Sequence, residues 1–244
     1  MSKPQHHDPE VLDLGVMPYA EAYARQVECL DRVLAAREAG TPRCGFILLV
    51  EHPPVITISN RPSARQHLIA TPDQLARAGV EVAPTDRGGD ITYHGPGQLV
   101  VYPILDLNRL NLGLHDYMRL LENAIIEVCR SLGLNAGRDA SATGVWIERG
   151  DDGSSAKICA MGVRVRKWIS LHGLALNVDP NMSHFDLIVP CGLAGRGVTS
   201  LRRELGDRTP DMANVKAMAA DSLVRAMVGA SRAADEARMR TNGE

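Results

Sequence analysis

The sequence predicts an α+β or mixed α/β domain with a mixed, largely antiparallel sheet flanked by helices. Short apolar runs typical of strands and longer runs with helical periodicity follow one another without regular βαβ alternation. Of the 244 residues, 45% are hydrophobic and 23% are charged, which is ordinary for a globular protein with a sizeable core. The polar segment of residues 149–155 is too short for a domain linker. We therefore expect one domain over residues 1–244, ordered over about residues 11–228.

The first half of the chain is expected to contain two helices and five strands. One helix begins at Pro18 and ends near Gly40, and a second follows the capping box that begins at Thr71. Pro103 lies in the last strand, and because proline cannot donate to a β-ladder, it indicates an edge or a bulge there. The expected strands are Val11–Leu14, Phe46–Val50, Val55–Ile58, Val80–Ala83 and Gln98–Leu107.

The second half begins with the clearest helix, Asp116–Leu132, in which apolar residues recur at helical spacing. A last helix is expected to be capped by Thr209 and Pro210 and to end near Val228. The polar tail of residues 231–244 is expected to fray. The strands expected between the two helices are Gly144–Glu148, Lys157–Arg166, Trp168–Val178 and Asp186–Val189.

Composition excludes several classes of function. The net charge of −2 gives no basic footprint, so no nucleic-acid partner is expected. The N-terminus lacks the apolar run of a signal peptide, and no segment reaches the roughly 18 apolar residues of a membrane span. We therefore expect a soluble, cytoplasmic protein without a membrane partner. An odd number of cysteines without C-x-x-C spacing favours thiols over disulfides or a metal site: Cys29, Cys44, Cys129, Cys159 and Cys191.

The segment RGGDITYHGPGQ, residues 87–98, is the most unusual stretch of the chain. It places four glycines, a proline, an arginine and a histidine within twelve residues between two predicted strands. Glycine permits a positive φ and lets a ligand approach the main chain, so the segment predicts a binding loop. Two adjacent turns would use the same residues, and this alternative stays open. The segment matches neither the phosphate-binding nor the dinucleotide-binding glycine motif.

Cys191 is the cysteine whose surroundings suit a nucleophile. It lies between Pro190 and Gly192 after an apolar run, so one side of the sulfur is expected to be open. A thiol attacks as its thiolate, and a nearby cation favours that form. Candidate cations are Lys157, His94 and His172. From spacing alone, a buried and inert thiol remains the alternative.

Four segments of the chain form a recognisable set: RGGDITYHGPGQ (87–98), KICAMGV (157–163), HGLALNV (172–178) and PCGL (190–193). In register, they resemble the lipoyl(octanoyl) transferase family of lipoate biosynthesis. The resemblance extends over about residues 12–223 and includes GVTSL at residues 197–201. It implies the fold that this family shares with biotin and lipoate protein ligases, an α/β domain with helices around a mixed sheet.

The resemblance implies transfer of an octanoyl or lipoyl group from octanoyl-acyl carrier protein to a specific lysine of a lipoyl domain. The acceptors would be E2 subunits of 2-oxoacid dehydrogenases and the glycine cleavage H protein. Cys191 matches the nucleophile that forms the acyl thioester, and Lys157 matches the lysine that lowers the pKa of its thiol. No cofactor or metal is expected, because thioester exchange is balanced and amide formation is downhill. The matching substrate-binding residues are Arg87, Gly88, Gly89, Asp90, Ile91, Thr92, Tyr93, His94, Ala160, Met161, Gly162, Gly173, Leu174 and Ala175.

The oxyanion donor and the partner of Lys157 are open to more than one interpretation. The Gly192 amide, or a neighbouring one, is the expected oxyanion donor. Cys159 is two residues from Lys157 on a predicted strand and is therefore expected to share its side. An ATP-dependent lipoate or biotin ligase would share the fold and the lysine without needing Cys191. A cysteine hydrolase would release the acyl group to water, and a carrier-protein-binding module would have no activity.

Overall fold

The computed structural model describes residues 8–41, 45–149, 154–189 and 197–241. Its helices are α1 (Tyr19–Glu38), α2 (Pro72–Ala78), α3 (Leu114–Ser131), α4 (Leu201–Leu205) and α5 (Met212–Thr241), with 3₁₀ turns at Ala64–His67, Met182–Leu187 and Gly206–Arg208. Its strands are β1 (Glu10–Val16), β2 (Gly45–Glu51), β3 (Val55–Ser59), β4 (Glu81–Thr85), β5 (Ile91–His94), β6 (Gln98–Leu105), β7 (Ala136–Gly137), β8 (Val145–Arg149), β9 (Ser154–Arg166), β10 (Ile169–Asn177) and β11 (Gly197–Val198).

The strands form one large and one small sheet. The large sheet has the order β1-β2-β6-β10-β9-β8-β7, with β11 beside β9, and the small sheet has the order β4-β3-β5. Three pairs are parallel, β1 with β2, β11 with β9 and β3 with β4, and the other pairs are antiparallel. The predicted mixed, largely antiparallel sheet with helices around it is therefore confirmed.

Alternation along β6 distributes its side chains between the two faces of the large sheet. Successive residues of a strand point to opposite faces. Leu99 and Val101 accordingly pack with α3 and α5, whereas Val100 and Tyr102 pack with α1. A third cluster, which includes Ile56, joins the small sheet to α2. In the described part of the chain, no helix has both the length and the apolar character needed to cross a membrane.

An edge or a bulge was predicted at Pro103, and the structure contradicts the edge. Pro103 lies in β6, which is an interior strand between β2 and β10. The ladder between β6 and β10 stops at the pair Val101 and Leu174. Beyond that point, Ser170 Oγ donates to Pro103 O at 2.7 Å and accepts from Leu105 N at 3.0 Å. A side-chain hydroxyl therefore bridges the two strands where the proline interrupts their ladder.

Two further segments differ from the predictions. The glycine-rich segment was predicted as a loop throughout, but residues 91–94 form β5, which pairs with β3. The run Asp186–Val189 was predicted as a strand, but it overlaps the 3₁₀ turn Met182–Leu187, and Ile188 makes only an isolated bridge to Leu68. Neither segment carries a long strand-like pattern, so short-range periodicity could not decide them.

Helix α5 is longer than predicted. It is capped by Asp211, whose Oδ1 accepts a backbone N–H at 2.8 Å, and not by Thr209. It also continues past Val228, because Ala234 is buried and Arg238 donates to two backbone carbonyl oxygens at 2.9 and 3.1 Å. The helix therefore extends through residues 231–241, beyond the end predicted near Val228.

Candidate active site

A central cavity of about 100 Å³ lies between the small sheet and the α1 side of the large sheet. Residues from three predicted segments meet there. The glycine-rich segment contributes Arg87, Gly89, Asp90, Ile91, Thr92 and His94. Strand β9 contributes Lys157, Ala160, Met161 and Gly162, and strand β10 contributes Gly173, Leu174 and Ala175.

Two residues expected at the site lie away from the central cavity. Tyr93 is fully buried in the cluster between the small sheet and α2, with its hydroxyl 2.9 Å from His184 Nδ1. Gly88 donates its N–H to Val163 O at 2.9 Å, which ties the glycine-rich segment to β9. Cys191, with its neighbours Pro190 and Gly192, lies outside the described residues, as does the whole of residues 190–196.

Two glycines of the site allow close backbone contacts. A Cβ at Gly162 would lie 2.5 Å from Gly88 O, and a Cβ at Gly173 would lie 2.2 Å from Val101 O. Both separations are too short for a real side chain. Glycine is therefore required at Gly162 for the approach of the glycine-rich segment, and at Gly173 for the approach of β6.

Arg87 forms one wall of the central cavity. Its Nη2 donates to Thr57 O at 3.1 Å and to Thr57 Oγ1 at 2.9 Å, and its Nη1 donates to Gly88 O at 3.1 Å. These bonds hold the guanidinium against the small sheet. A fixed positive charge beside the cavity disfavours a second positive charge on nearby histidines.

His94 is neutral and its tautomer is fixed. Burial lowers the pKa of His94 to about 3, with His52 as the next cause. Gln98 Nε2 donates to Tyr93 O at 3.2 Å and to Asn177 Oδ1 at 2.8 Å, so Gln98 Oε1 must be the acceptor of the 2.7 Å bond from His94 Nδ1. The hydrogen of the neutral ring is thus on Nδ1, and Nε2 is left as a hydrogen-bond acceptor.

His172 is neutral for a similar reason. Burial lowers the pKa of His172 to about 3, and the guanidinium groups of Arg87 and Arg164 contribute. Its Nε2 lies 2.6 Å from Asp86 Oδ1, where a neutral ring donates its hydrogen. Asp86 also contacts Arg164 and accepts from the Tyr23 hydroxyl at 2.8 Å. Of the three candidate cations, the two histidines are therefore uncharged near neutral pH, which leaves Lys157.

Lys157 and Cys159 do not share a side, contrary to the prediction from their spacing. The register of β8 and β9 shifts between the pairs Val145–Cys159 and Trp146–Lys157. Such a bulge sends the two residues of β9 to different faces. Lys157 therefore lines the central cavity, whereas Cys159 is buried in the core with α3 and α5.

The cysteines of the described residues all lie in apolar surroundings. Cys29, in α1, packs against the large sheet, and Cys129, in α3, and Cys159, in β9, lie in the core with α5, so the prediction that Cys129 belongs to the core is confirmed. Burial raises the pKa of each thiol, to about 12 for Cys129 and well above its ordinary value for Cys159. These three thiols are therefore protonated and poor nucleophiles.

Several residues of the central cavity were not assigned to the site from the sequence. Tyr19 opens α1 and stacks on His94 with ring centroids 6.5 Å apart. Asp90 Oδ2 lies 2.6 Å from Nδ1 of His67, a residue that was also not assigned to the site. The period of two along β6 is a signal that relates Val100 to Tyr102, but it does not say which face has a cavity. The residues missed are Tyr19, Gln98, Val100, Tyr102, Asn177, Phe185 and Val198.

Comparison with known proteins decides the family. Residues 18–224 match the model of the lipoyl protein ligase A/B catalytic domain. The chain belongs to this family. The octanoyltransferase of Bacteroides fragilis (strain YCH46) is 46% identical over 216 residues, which cover 88% of this chain and 96% of that protein. The octanoyltransferase of Chloroflexus aggregans is 44% identical over 218 residues, which cover 89% of this chain and 92% of that protein. The predicted resemblance to lipoyl(octanoyl) transferases is confirmed.

Solved structures of the same fold are much less similar in sequence. A bipartite lipoate protein ligase from Thermoplasma acidophilum gives a TM-score of 0.63 at 17% identity, covering 92% of this chain and 84% of that one. The biotin protein ligase of Aquifex aeolicus gives a TM-score of 0.51 at 11% identity, and the match covers 89% of this chain and 70% of that one. Together they confirm the predicted likeness to the fold of biotin and lipoate protein ligases.

Proposed function

We propose that this acyltransferase moves an octanoyl group from octanoyl-acyl carrier protein to a lysine of a lipoyl domain, through a thioester on Cys191. The activity named for its relatives supports the acyl group, since they are octanoyltransferases at 44% and 46% identity. The lipoyl domain is supported by the lipoate protein ligase of Thermoplasma acidophilum, which was described together with its E2 lipoyl domain.

The place of Lys157 in the wall of the central cavity is the observation that carries this proposal. His94 and His172 both have a pKa of about 3, so Lys157 is the candidate cation that remains. An ammonium favours the thiolate form of a nearby cysteine. The segment of Cys191 leads directly into β11, in which Val198 pairs with Lys157. Cys44 is the other cysteine outside the described residues, so it is the rival thiol that a test must include.

The reaction balances with these two residues alone. The Cys191 thiolate attacks the donor thioester, a new sulfur–acyl bond forms, and the carrier thiolate leaves with a proton from the Lys157 ammonium. The acceptor amine then attacks the acyl-cysteine and gives a proton to the neutral Lys157 amine as its bond to carbon forms. Cleavage of the sulfur–acyl bond returns the Cys191 thiolate, and the Lys157 ammonium is restored at the same time.

The central cavity suits an alkyl chain. Val100, Ala175 and Phe185 contribute apolar walls, and they are 1%, 4% and 9% exposed. Burial of each methylene contributes about 0.8 kcal/mol. The Gly192 amide is our proposed oxyanion donor.

Intact mass spectrometry tests the proposal. The protein is incubated with octanoyl-acyl carrier protein without ATP, and a lipoyl domain is then added. We expect one octanoyl adduct that disappears as the lipoyl domain gains the group, and no adduct in Cys191→Ala. Lys157→Ala is expected to form the adduct far more slowly. Cys44→Ala and Cys159→Ala are matched controls and are expected to form it normally.

The other outcomes separate the alternatives. An adduct that persists in Cys191→Ala and is lost in Cys44→Ala would reject Cys191 as the nucleophile. A strict requirement for ATP would indicate a ligase. Octanoate released without an acceptor would indicate a hydrolase, and no adduct with the intact protein would indicate a binding module.

A further inference from the structure

Trp146 lies directly beside Lys157 in the large sheet. The two residues are paired across β8 and β9, and their side chains therefore stand next to each other. Lys157 Nζ is 4.8 Å from the centroid of the indole ring. A cation within about 6 Å of the centroid and over the ring face is attracted by the quadrupole of the ring. The contact therefore favours one position of the amine and its charged form.

The indole ring is itself held in place. Trp146 is 1% exposed, and its Nε1–H donates to Ala142 O at 3.0 Å. The bulge in β9 lies at this pair and turns Lys157 out of the core face on which Cys159 lies. Trp146 is thus a rigid surface for the lysine, because packing and a hydrogen bond both restrain it.

Gly144 confines the stem of the same lysine. A Cβ at Gly144 would lie 3.4 Å from Lys157 Cε and 2.5 Å from Cys159 O. The Gly144 N–H is fixed by a 3.1 Å bond to Oε1 of Glu122, a buried carboxylate that also contacts Arg119 and Arg138. The start of β8 therefore presents Lys157 with a bare backbone on one side and an indole on the other.

We infer that Trp146 is a positioning residue, which holds the Lys157 ammonium at a fixed place beside the central cavity. Its meaning for catalysis rests on the proposed acyl transfer, in which that ammonium stabilises the thiolate. Trp146 does not line the cavity itself, so it acts through Lys157 and not on the substrate.

Nuclear magnetic resonance tests the contact without an activity measurement. The chain contains four lysines, Lys3, Lys157, Lys167 and Lys216, so labelling of lysine Cε gives a simple spectrum. The Lys157 signal is assigned by its loss in Lys157→Arg. We expect its Hε protons to be shifted upfield by the indole ring in the unsubstituted protein. An ordinary position for that signal would overturn the inference whether or not any variant folds.

Substitutions of Trp146 then test whether its indole ring causes the upfield shift of the Lys157 signal. Trp146→Leu is expected to move the Lys157 Hε signal to the ordinary lysine position, and Trp146→Phe is expected to retain part of the shift. Trp168→Phe is the matched control, because Trp168 is 52% exposed in the connection between β9 and β10. The other lysine signals report whether each variant is folded. A Lys157 signal that does not move in a folded Trp146→Leu protein would also overturn the inference.

Kinetics give the catalytic consequence. For Trp146→Leu we expect kcat to fall by about 2- to 30-fold, the range that corresponds to cation–π attraction, with the KM for the octanoyl donor unchanged. Trp146→Phe is expected to recover most of the rate, which a purely structural role would not predict. Equal rates for folded Trp146→Leu and unsubstituted protein would contradict a positioning role. A shifted Lys157 signal in a protein without transferase activity would contradict the proposed function and leave the contact intact.

Discussion

Replacement of Gln98 by methionine tests the buried hydrogen-bond network behind the central cavity. Gln98 is 2% exposed and bonds His94 Nδ1, Tyr93 O and Asn177 Oδ1 at 2.7, 3.2 and 2.8 Å. Methionine preserves the length of the side chain and removes all three bonds. Each buried partner left unsatisfied costs about 1–3 kcal/mol, and carbonyl oxygens tolerate the loss best. We therefore expect Gln98→Met to lower the unfolding free energy by about 3–5 kcal/mol.

Urea and thermal denaturation followed by circular dichroism measure this loss. For a domain of this size, about 1 kcal/mol corresponds to 2–4 °C, so Tm is expected to fall by about 6–20 °C. Gln66→Met is the matched control, since Gln66 is exposed, and it is expected to change the unfolding free energy by less than about 0.5 kcal/mol. Equal losses in the two variants would refute the network as a source of stability and, with it, the reason for the fixed tautomer of His94.

Further expected outcomes concern packing, pH and the acyl chain. Gly173→Ala is expected to lower the free energy of unfolding, measured by urea denaturation, by about 1–3 kcal/mol. Gly229→Ala is the control in α5, where nothing lies within 4 Å of the new Cβ, and it is expected to raise the free energy of unfolding by about 0.5–1 kcal/mol. A Gly173→Ala protein more stable than Gly229→Ala would contradict the close approach of β6 to Gly173. His94 and His172 have a pKa of about 3 in the folded protein and of about 6.5 in the unfolded chain. The unfolded chain therefore takes up protons first as the pH falls, so the free energy of unfolding is expected to be full above pH 6.5 and to decrease between about pH 6.5 and 3. Each histidine is expected to contribute a slope of about 1.4 kcal/mol per pH unit. Urea titrations at pH 7 and 5 measure this, and a pH slope that stays the same in His172→Asn would contradict it. Val100→Phe is expected to lower kcat/KM for an octanoyl donor by on the order of tenfold relative to a butanoyl donor, and an unchanged ratio would mean that the alkyl chain does not contact Val100.

Much of the fold followed from local pattern. Helix α3 was predicted within two residues because its apolar stripe is regular, and β2, β9 and β10 were predicted because their residues are apolar or alternate. The separation into two sheets was not predicted. Strands β2 and β3 are separated by a short connection, yet they belong to different sheets, and pairing between distant segments decides this. The extent of α5 was missed for a related reason, because its polar final turns are stabilised by contacts with residues far away in the sequence.

Gly162 and Gly173 were assigned to the site from the family resemblance, and both lie at close backbone contacts. Gly162 and Gly173 cannot carry a side chain because a backbone carbonyl lies too close, and such positions are visible in a sequence as unexpected glycines. Tyr19 and Phe185 gave no such signal, since an aromatic residue at a helix start or in a 3₁₀ turn is more often part of a core. Their place in the central cavity depends on the packing of the small sheet against the large one.

A single extra residue in β9 separates Lys157 from Cys159. Without the bulge between the pairs Val145–Cys159 and Trp146–Lys157, the lysine and Cys159 would share one face of the sheet. The bulge instead leaves Cys159 in the core, where burial raises the pKa of its thiol, and leaves the amine at the central cavity. The proposed chemistry therefore needs a thiol from another segment. Cys191 is our proposal for that thiol, because the chain that follows it enters β11, in which Val198 pairs with Lys157.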